Sequence, residues 1–302
     1  MIGLIKFLKW SLLIIIFIPI IFFIYIYYSV VSFDTVALPE NHGQVKTEIF
    51  AGSEMGQPLV VGLGGAEGGN GWSGPHGAKQ RGLLKKNGYA FLTISYFGSE
   101  GTPKNLDRIA IDGIHQAVIK ASQDPRINEN CIAIMGVSRG GELALLLGSK
   151  YSEYKSVIGI VPGSSVFPAI TNAMTTPGFS FNGESLPFVP VPWGATPQLL
   201  TGDLRGAFEK MMKNTAEMEA AAIKIEDISG PILLISSTKD EQWPSREMSD
   251  TMMKRLKDKN FSHPNIHIPL IGGHNEHHDS FDQVIEFLDG HLRSQSSCGR
   301  KP

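Results

Sequence analysis

The sequence GVSRG at positions 136–140 follows an apolar run and precedes a helical pattern. A serine on a tight turn between a strand and a helix has a strained backbone that exposes its hydroxyl group at the carboxyl end of a sheet, and the helix N-terminus beneath it favours negative charge. The flanking glycines allow neighbouring elements to approach without a side-chain clash. The pattern therefore predicts that Ser138 is a nucleophile, provided that a base and a carboxylate follow it.

Two later residues supply those partners in the order serine, acid, histidine that accompanies this motif. Asp240 lies in the loop after the apolar run at residues 231–236, and His274 follows the run at residues 266–270 after two glycines. A serine nucleophile needs a base, and the base needs a carboxylate that orients it. We predict that His274 accepts the Ser138 proton and that Asp240 orients His274.

Neighbouring residues leave alternatives open for both partners. Asp240 can be read as a turn residue, in which case Glu241 is the alternative acid. His277 and His278 compete with His274, which we favour because it directly follows a pair of glycines.

The same histidine cluster also suggests a metal site. His274, His277 and His278 lie close to Glu276 and Asp279, but no cysteine or further acidic residue has a convincing ligand spacing. We therefore predict no metal and no cofactor.

A glycine-rich stretch, residues 62–69, follows the first apolar run and predicts the second part of an oxyanion hole. In hydrolases with this elbow, one backbone N–H comes from such a loop and another from the residue after the nucleophile. We assign these donors to the main-chain N–H groups of Ala66 and Arg139. A nucleotide-binding loop is the alternative, because residues 69–74 match G-x-G-x-x-G, but Pro75 follows at once and the match does not directly follow its strand.

The elements that must position these residues alternate along the chain. Continuous apolar runs predict strands at residues 59–63, 89–96, 131–135, 156–161, 231–236 and 266–270, and helical spacing predicts helices at residues 78–86, 106–121, 142–149, 246–257 and 281–292. Buried strands separated by helices indicate an α/β fold with a mostly parallel central sheet covered by helices on both faces.

A proline-rich insert at residues 163–225 interrupts this alternation and ends in a helical stretch near residues 204–222. A long insert of this kind is typical of a lid or of a surface excursion. Its aromatic residues either line an acyl pocket or pack within the insert; they are Phe179, Phe181, Phe188 and Trp193.

The N-terminal segment predicts a membrane anchor. Residues 10–33 carry no charge, and a run this long can span a bilayer. Lys6 and Lys9 precede it and Asp34 follows, which predicts a cytoplasmic N-terminus and a domain outside the cytoplasm. A cleaved signal peptide and a buried core helix are the alternatives.

Composition excludes several other classes of protein. The 302 residues are 42% hydrophobic and 19% charged, which is not the composition of a disordered, collagenous or coiled-coil chain. All 29 acidic residues but only 25 of the 27 basic ones follow residue 33, so the soluble part is acidic and we predict no nucleic-acid partner. Cys131 lies in an apolar run and Cys298 in a polar tail, so we expect both to be unpaired.

Five stretches in order along the chain resemble the C-terminal catalytic domain of the acyl-CoA thioester hydrolase and bile acid-CoA:amino acid N-acyltransferase family. They are LGGAEGG, AFLTISYFGSEGTPKNL, IAIMGVSRGGELALLLGS, FNGESLPFVP and IEDISGPILLISSTKDEQWPS. The resemblance implies an α/β-hydrolase fold, a triad at Ser138, Asp240 and His274, and hydrolysis of acyl thioesters through an acyl-enzyme. Acyltransferase members use cysteine as the nucleophile, so the serine here favours hydrolysis.

These observations together predict four regions and a small-molecule acyl ester or thioester substrate. The regions are a transmembrane anchor at 1–33, a connector at 34–58, a hydrolase domain at 59–294 with the insert at 163–225, and a polar tail at 295–302. About 25 residues separate the anchor from the first strand, too few for the N-terminal β-sandwich domain that family members typically carry. Because acyl-CoA is cytoplasmic, the predicted topology leaves a membrane-tethered carboxylesterase or peptidase as the alternative, and a catalytically silent binding protein as a further one.

Overall fold

The structure is a computed structural model that describes the backbone of residues 2–276 and 281–298, without the side chains of residues 2–9, 12–16, 19 and 297. Over these residues, the central sheet has seven strands in the order β1-β3-β2-β5-β6-β9-β10, and every neighbouring pair is parallel except β1 with β3. These strands are β1 (Lys46–Phe50), β2 (Gln57–Leu63), β3 (Ala90–Ser95), β5 (Ile127–Val137), β6 (Tyr154–Ile160), β9 (Ile232–Ser237) and β10 (Asn265–Leu270). The predicted mostly parallel sheet is confirmed.

Helices cover both faces of this sheet. The described helices are α1 (Ile2–Val31), α2 (Ala78–Lys86), α3 (Ile111–Ser122), α4 (Arg139–Lys150), α5 (Thr196–Thr201), α6 (Leu204–Met212), α7 (Thr215–Ala220), α8 (Ser245–Asp258) and α9 (Phe281–Phe287). Apolar side chains of α3, α4 and α8 form one core with the sheet, and those of α2 and α9 form a second core on the opposite face. Burial of β2, β3 and β9 on both faces explains why these strands are continuous apolar runs.

Local structure differs from the prediction at three places. The helix predicted from residue 106 begins at Ile111, because Ile109–Ala110 forms strand β4 of a second sheet with β7 (Phe179–Phe181) and β8 (Glu184–Ser185). The helical stretch near residues 204–222 is two helices, since Asn214 accepts a hydrogen bond from the Glu217 N–H and so begins α7. The predicted connector contributes β1, an edge strand with no strong apolar pattern.

A disulfide bond joins Cys131 and Cys298, so the prediction that both are unpaired is wrong. The two residues are 167 positions apart. The C-terminal segment returns to the sheet, where the Gln295 side chain donates a hydrogen bond to the Lys155 carbonyl at 2.8 Å. This return places the polar tail against buried strand β5, a contact that no local pattern indicates.

At the N-terminus, α1 ends beside the insert, where the Asn172 side chain donates to the Tyr25 hydroxyl at 3.3 Å. Within the part of the chain that the structure describes, no helix combines the length and the apolar character of a membrane span. The predicted anchor is therefore not confirmed.

Candidate active site

Ser138 occupies the turn between β5 and α4, with φ of +55° and ψ of −121°. This left-handed conformation costs a serine roughly 1–3 kcal/mol, and the surrounding contacts maintain it. The Ser138 N–H donates to the Ile160 carbonyl at 2.8 Å, and its own carbonyl accepts from the N–H of Gly141 and of Glu142. Ser138 is thereby held at the N-terminus of α4.

Two flanking glycines are required by the close approach of backbone to backbone. A Cβ atom at Gly136 would overlap the Gly140 carbonyl, and one at Gly140 would overlap the Gly64 carbonyl. These contacts are the physical reason for the glycines of the elbow motif.

Asp240 and His274 meet as the sequence predicts. Asp240 lies in the loop after β9 and His274 in the loop after β10, and the His274 Nδ1 is 2.8 Å from the Asp240 Oδ1. Asp240 is fully buried and also accepts a hydrogen bond from the Ser245 hydroxyl at 2.6 Å.

The environment keeps the Asp240 carboxyl group ionised. Burial raises the pKa of Asp240, whereas the hydrogen bonds from His274 and Ser245 lower it. Together the lowering effects exceed the effect of burial, so the net shift of the Asp240 pKa is downward. A carboxylate can only accept hydrogen bonds, so the proton between the two groups belongs to Nδ1 of His274. Nε2 is then the ring nitrogen that Asp240 does not engage.

Glu241, the alternative acid, contacts the backbone of the histidine loop and not its ring. Its Oε2 accepts a hydrogen bond from the His274 N–H at 2.9 Å. The alternative histidines, His277 and His278, lie outside the described residues, as does Asp279 of the alternative metal site.

Ser138 and His274 line one cavity of about 450 Å³. Its other lining residues are Gly64, Ala66, Glu67, Gly71, Trp72, His76, Gly77, Gln80, Val137, Gln242 and Asn275. The cavity therefore brings the predicted nucleophile, the predicted base and one predicted oxyanion donor together. Asp240 lies behind His274, away from the cavity.

The loop after β2 packs closely against Ser138. A Cβ atom on Gly65 would lie 3.2 Å from the Ser138 Cβ. The Tyr96 hydroxyl fixes this loop by donating to the Gly64 carbonyl at 2.6 Å, and the Gly65 N–H donates to Glu67 Oε1 at 3.0 Å. Because Gly65 is engaged in this way, Ala66 stays our predicted donor from the loop.

The second predicted donor, the backbone N–H of Arg139, is at the first position of α4, where helical N–H groups have no intrahelical acceptor. The Arg139 side chain has a separate role that sequence reasoning missed. It is buried, lies 3.1 Å from the Glu142 carboxyl group and donates to the carbonyls of Phe167 and Pro168 in the insert. Burial raises the pKa of Glu142 to about 7, although Arg139 lowers it.

The aromatic residues of the insert do not line this cavity. Phe179 is buried in the core, Phe181 and Phe188 pack against that core, and the Trp193 side chain is exposed. The first three therefore pack against the core of the central sheet, which differs from both alternatives, since they neither line this cavity nor pack only within the insert.

A second group of the same three residue types lies elsewhere in the molecule. The Ser236 Oγ is 2.7 Å from the His267 Nε2, and the His267 Nδ1 is 3.2 Å from the Asp250 Oδ1. Ser236 is fully buried within β9, His267 belongs to β10 and Asp250 to α8.

Solved structures with this fold include hydrolases of low sequence identity. Pyrococcus horikoshii acylaminoacyl peptidase aligns with a TM-score of 0.56 and 15% identity, over 87% of this chain and 41% of that chain. Est1E from Butyrivibrio proteoclasticus, solved with bound ferulic acid, aligns with a TM-score of 0.54 and 18% identity, over 83% and 96% of the two chains. These similarities confirm the α/β-hydrolase fold.

Sequence comparisons point to one family. Acyl-coenzyme A thioesterase 1 of Mus musculus is 23% identical over 238 residues, which cover 78% of this chain and 53% of the relative, so the chain spans about half the length of that curated protein. The family model described as BAAT / acyl-CoA thioester hydrolase C terminal matches residues 115–276, more than half of the chain and the span that holds Ser138, Asp240 and His274. The chain therefore belongs to the BAAT / acyl-CoA thioester hydrolase C-terminal family.

Proposed function

We propose that this chain is a serine hydrolase that cleaves acyl thioesters through an acyl-enzyme. One observation supports this proposal above the others: His274 is held by buried, ionised Asp240 and lines the same cavity as Ser138 on its strained turn. A nucleophile and a base that face one cavity, with the base oriented from behind, can carry out acyl transfer.

In the first half of the reaction, the Ser138 Oγ attacks the carbonyl carbon of the substrate while Nε2 of His274 takes the hydroxyl proton. Asp240 stabilises the imidazolium that forms. The oxyanion accepts hydrogen bonds from the backbone N–H groups of Ala66 and Arg139, each of which lowers the barrier by about 3–4 kcal/mol in comparable sites. The tetrahedral intermediate then expels the thiolate, which receives the proton from His274.

In the second half, water replaces the thiol. His274 takes a proton from the water molecule, whose oxygen attacks the ester carbon of the acylated Ser138. Collapse of this intermediate releases the carboxylic acid and returns the proton to the Ser138 Oγ. Each half requires the same base, which explains why a single His274 suffices.

The choice of a thioester substrate is supported by family membership and by the names of the relatives, which are acyl-coenzyme A thioesterases. Since the chain covers only about half of those relatives, their substrates are proposals here. A carboxylester or peptide substrate requires the same serine chemistry and differs in the leaving group.

A fluorophosphonate probe tests the serine mechanism. We expect covalent labelling of the native chain, loss of labelling in Ser138→Ala, and unchanged labelling in a Ser236→Ala control. Labelling that survives in Ser138→Ala would overturn the assignment. A substrate panel of acyl-CoA, nitrophenyl esters and peptides then separates a thioesterase from a carboxylesterase or peptidase.

We also propose that residues 10–33 tether the domain to a membrane with the N-terminus in the cytoplasm. This proposal rests on the sequence, in which those residues are uncharged and Lys6 and Lys9 precede them. Protease accessibility in intact cells tests it. Digestion of the domain by protease added outside intact cells supports the tether and argues for a substrate other than acyl-CoA. Protection of the domain in intact cells, with digestion after lysis, would contradict the proposed topology.

A further inference from the structure

Gln80 is a buried amide in the wall of the cavity that holds Ser138 and His274. It lies in the first turn of α2, its residue is only 5% exposed, and it lines the cavity. Its Oε1 has no hydrogen-bond partner among the described residues. A buried amide oxygen without a partner is destabilising, and native proteins rarely keep one without a reason.

Contacts of neighbouring residues hold the segment of α2 that carries Gln80. The next residue, Arg81, donates to the carbonyls of Trp72 and Gly74, and its guanidinium group stacks on the Phe50 ring at 4.6 Å. Trp72 itself packs edge-on against Phe91, with ring centroids 5.8 Å apart. These contacts fix α2 to the preceding loop and so hold the backbone of Gln80 at the wall of the cavity.

The chemistry of the cavity indicates which kind of group can form hydrogen bonds with the Gln80 amide. A carboxamide offers both a donor and an acceptor, so its best complement is a group that also offers both, such as an amide or a hydroxyl. Apart from the imidazoles of His76 and His274, the described lining holds no basic side chain, and Glu67 adds a carboxylate. The lining therefore disfavours an anionic group on the substrate and suits a neutral polar one.

We propose that Gln80 is a specificity-determining residue, which pairs with an amide or hydroxyl group of the substrate next to the thioester. This inference rests on the proposed function, because it takes the cavity to be the substrate site. It adds the kind of substrate: a thioester with a neutral hydrogen-bonding group in either its thiol or its acyl part, in preference to a purely hydrocarbon one.

Equilibrium binding to the full chain carrying Ser138→Ala tests the inference without turnover. The probes are the hexanoyl thioester of N-acetylcysteamine, an isostere in which a methylene replaces the amide N–H, and the β-hydroxyhexanoyl thioester of that isosteric thiol. Trp72 lines the cavity, so tryptophan fluorescence reports occupancy. We expect the amide or the hydroxyl probe to bind about tenfold more tightly than the hexanoyl isostere, a ratio equal to about 1.4 kcal/mol.

Gln80→Met in the same background should reduce that preference below about twofold and leave binding of the isostere unchanged, because the variant keeps the length of the side chain and removes its hydrogen bonds. Gln198→Leu is the matched control, since Gln198 lies in the insert outside the cavity lining, and it should keep the full preference. Gln80→Asn, which withdraws the amide by one methylene, gives the same test if Gln80→Met does not fold.

The outcomes separate the inference from the proposed function. Equal binding of all three probes, or a preference that survives in Gln80→Met, overturns the inference and leaves Gln80 bound to an ordered water only. Turnover is measured separately on the chain with Ser138. A Gln80-dependent preference without turnover supports the binding role of Gln80 and contradicts the proposed hydrolase function. Turnover without that preference supports the hydrolase function and contradicts the binding role of Gln80.

Discussion

Among the residues that the structure describes, two groups of serine, histidine and aspartate differ in which members are buried. At the cavity, Ser138 is accessible and the Asp240 carboxylate behind His274 is fully buried. In the second group, Ser236 is fully buried, and the Asp250 side chain beyond His267 is 58% exposed. Both groups follow the same order along the chain.

The difference shows that residue types, order and hydrogen-bond distances do not by themselves make an active site. A nucleophile has to reach a substrate, and an orienting carboxylate is most effective where water does not screen it. Ser236 belongs to a regular strand with neighbours on both faces, whereas Ser138 projects from a left-handed turn beside a cavity and a helix N-terminus. The second group instead links β9, β10 and α8, the elements that precede and follow the Asp240 and His274 loops.

The largest difference between the two groups should be the effect of removing the serine. We expect Ser138→Ala to lower kcat/KM for a thioester about 10⁶-fold, as loss of a nucleophile does in comparable enzymes. Ser236→Ala should change it by less than about threefold, because Ser236 cannot contact substrate. Release of free thiol measures both. Comparable losses in the two variants would contradict the distinction.

Removal of the negative charge of the aspartate should have the next largest effect. Asp240→Asn should lower kcat/KM about 10⁴-fold, because the asparagine amide favours the wrong histidine tautomer. Asp250→Asn, at an exposed position, should leave it nearly unchanged. Near-ultraviolet circular dichroism verifies that both variants fold, and an Asp240→Asn variant of normal activity would refute the role of the buried carboxylate.

Substitutions in the second group should lower the stability of the fold, although they leave activity nearly unchanged. His267→Ala leaves the Ser236 hydroxyl buried without its partner and should lower the free energy of unfolding by roughly 1–3 kcal/mol. The double variant Ser236→Ala/His267→Ala removes the stranded hydroxyl and should recover part of that loss. Urea denaturation measures both, and identical stability of His267→Ala and the native chain would show that the second group does not stabilise the sheet.

The pH dependence of stability should be the smallest effect. Burial lowers the pKa of His267 below its ordinary value of 6.5, although Asp250 raises it. Just below pH 6.5 the unfolded chain therefore binds more protons at this residue than the folded chain does, so the free energy of unfolding falls as the pH falls through that window. His267→Gln should show a shallower decline between pH 7 and pH 5 in urea titrations, and an unchanged slope would count against a buried, neutral His267.

Much of the fold and of the candidate site followed from local patterns. The helix predicted at residues 78–86 has those same bounds as α2, and the strand–turn–helix around Ser138 lies where the glycine spacing places it. These features depend on neighbours in the chain. The pairing of Asp240 with His274 followed less directly, from the order of acid and histidine after the nucleophile motif and from the predicted strand that precedes each residue.

Other features could not be predicted because their causes are distant in the chain. The Cys131–Cys298 bond depends on the return of the C-terminal segment, and β1 has too little apolar pattern to stand out from a connector. The role of Gln80 requires knowledge of a cavity wall, which no spacing of residues conveys.

The amino-acid sequence alone determined the family, the alternation of strands and helices, and the three residues that we propose for acyl transfer, because each is encoded in short-range spacing and in residue type. Tertiary structure alone decided which of two Ser–His–Asp groups faces a cavity and which is enclosed by the sheet. Burial depends on elements that converge from distant parts of the chain, and burial sets both the access of a substrate to a hydroxyl and the screening of a carboxylate by water.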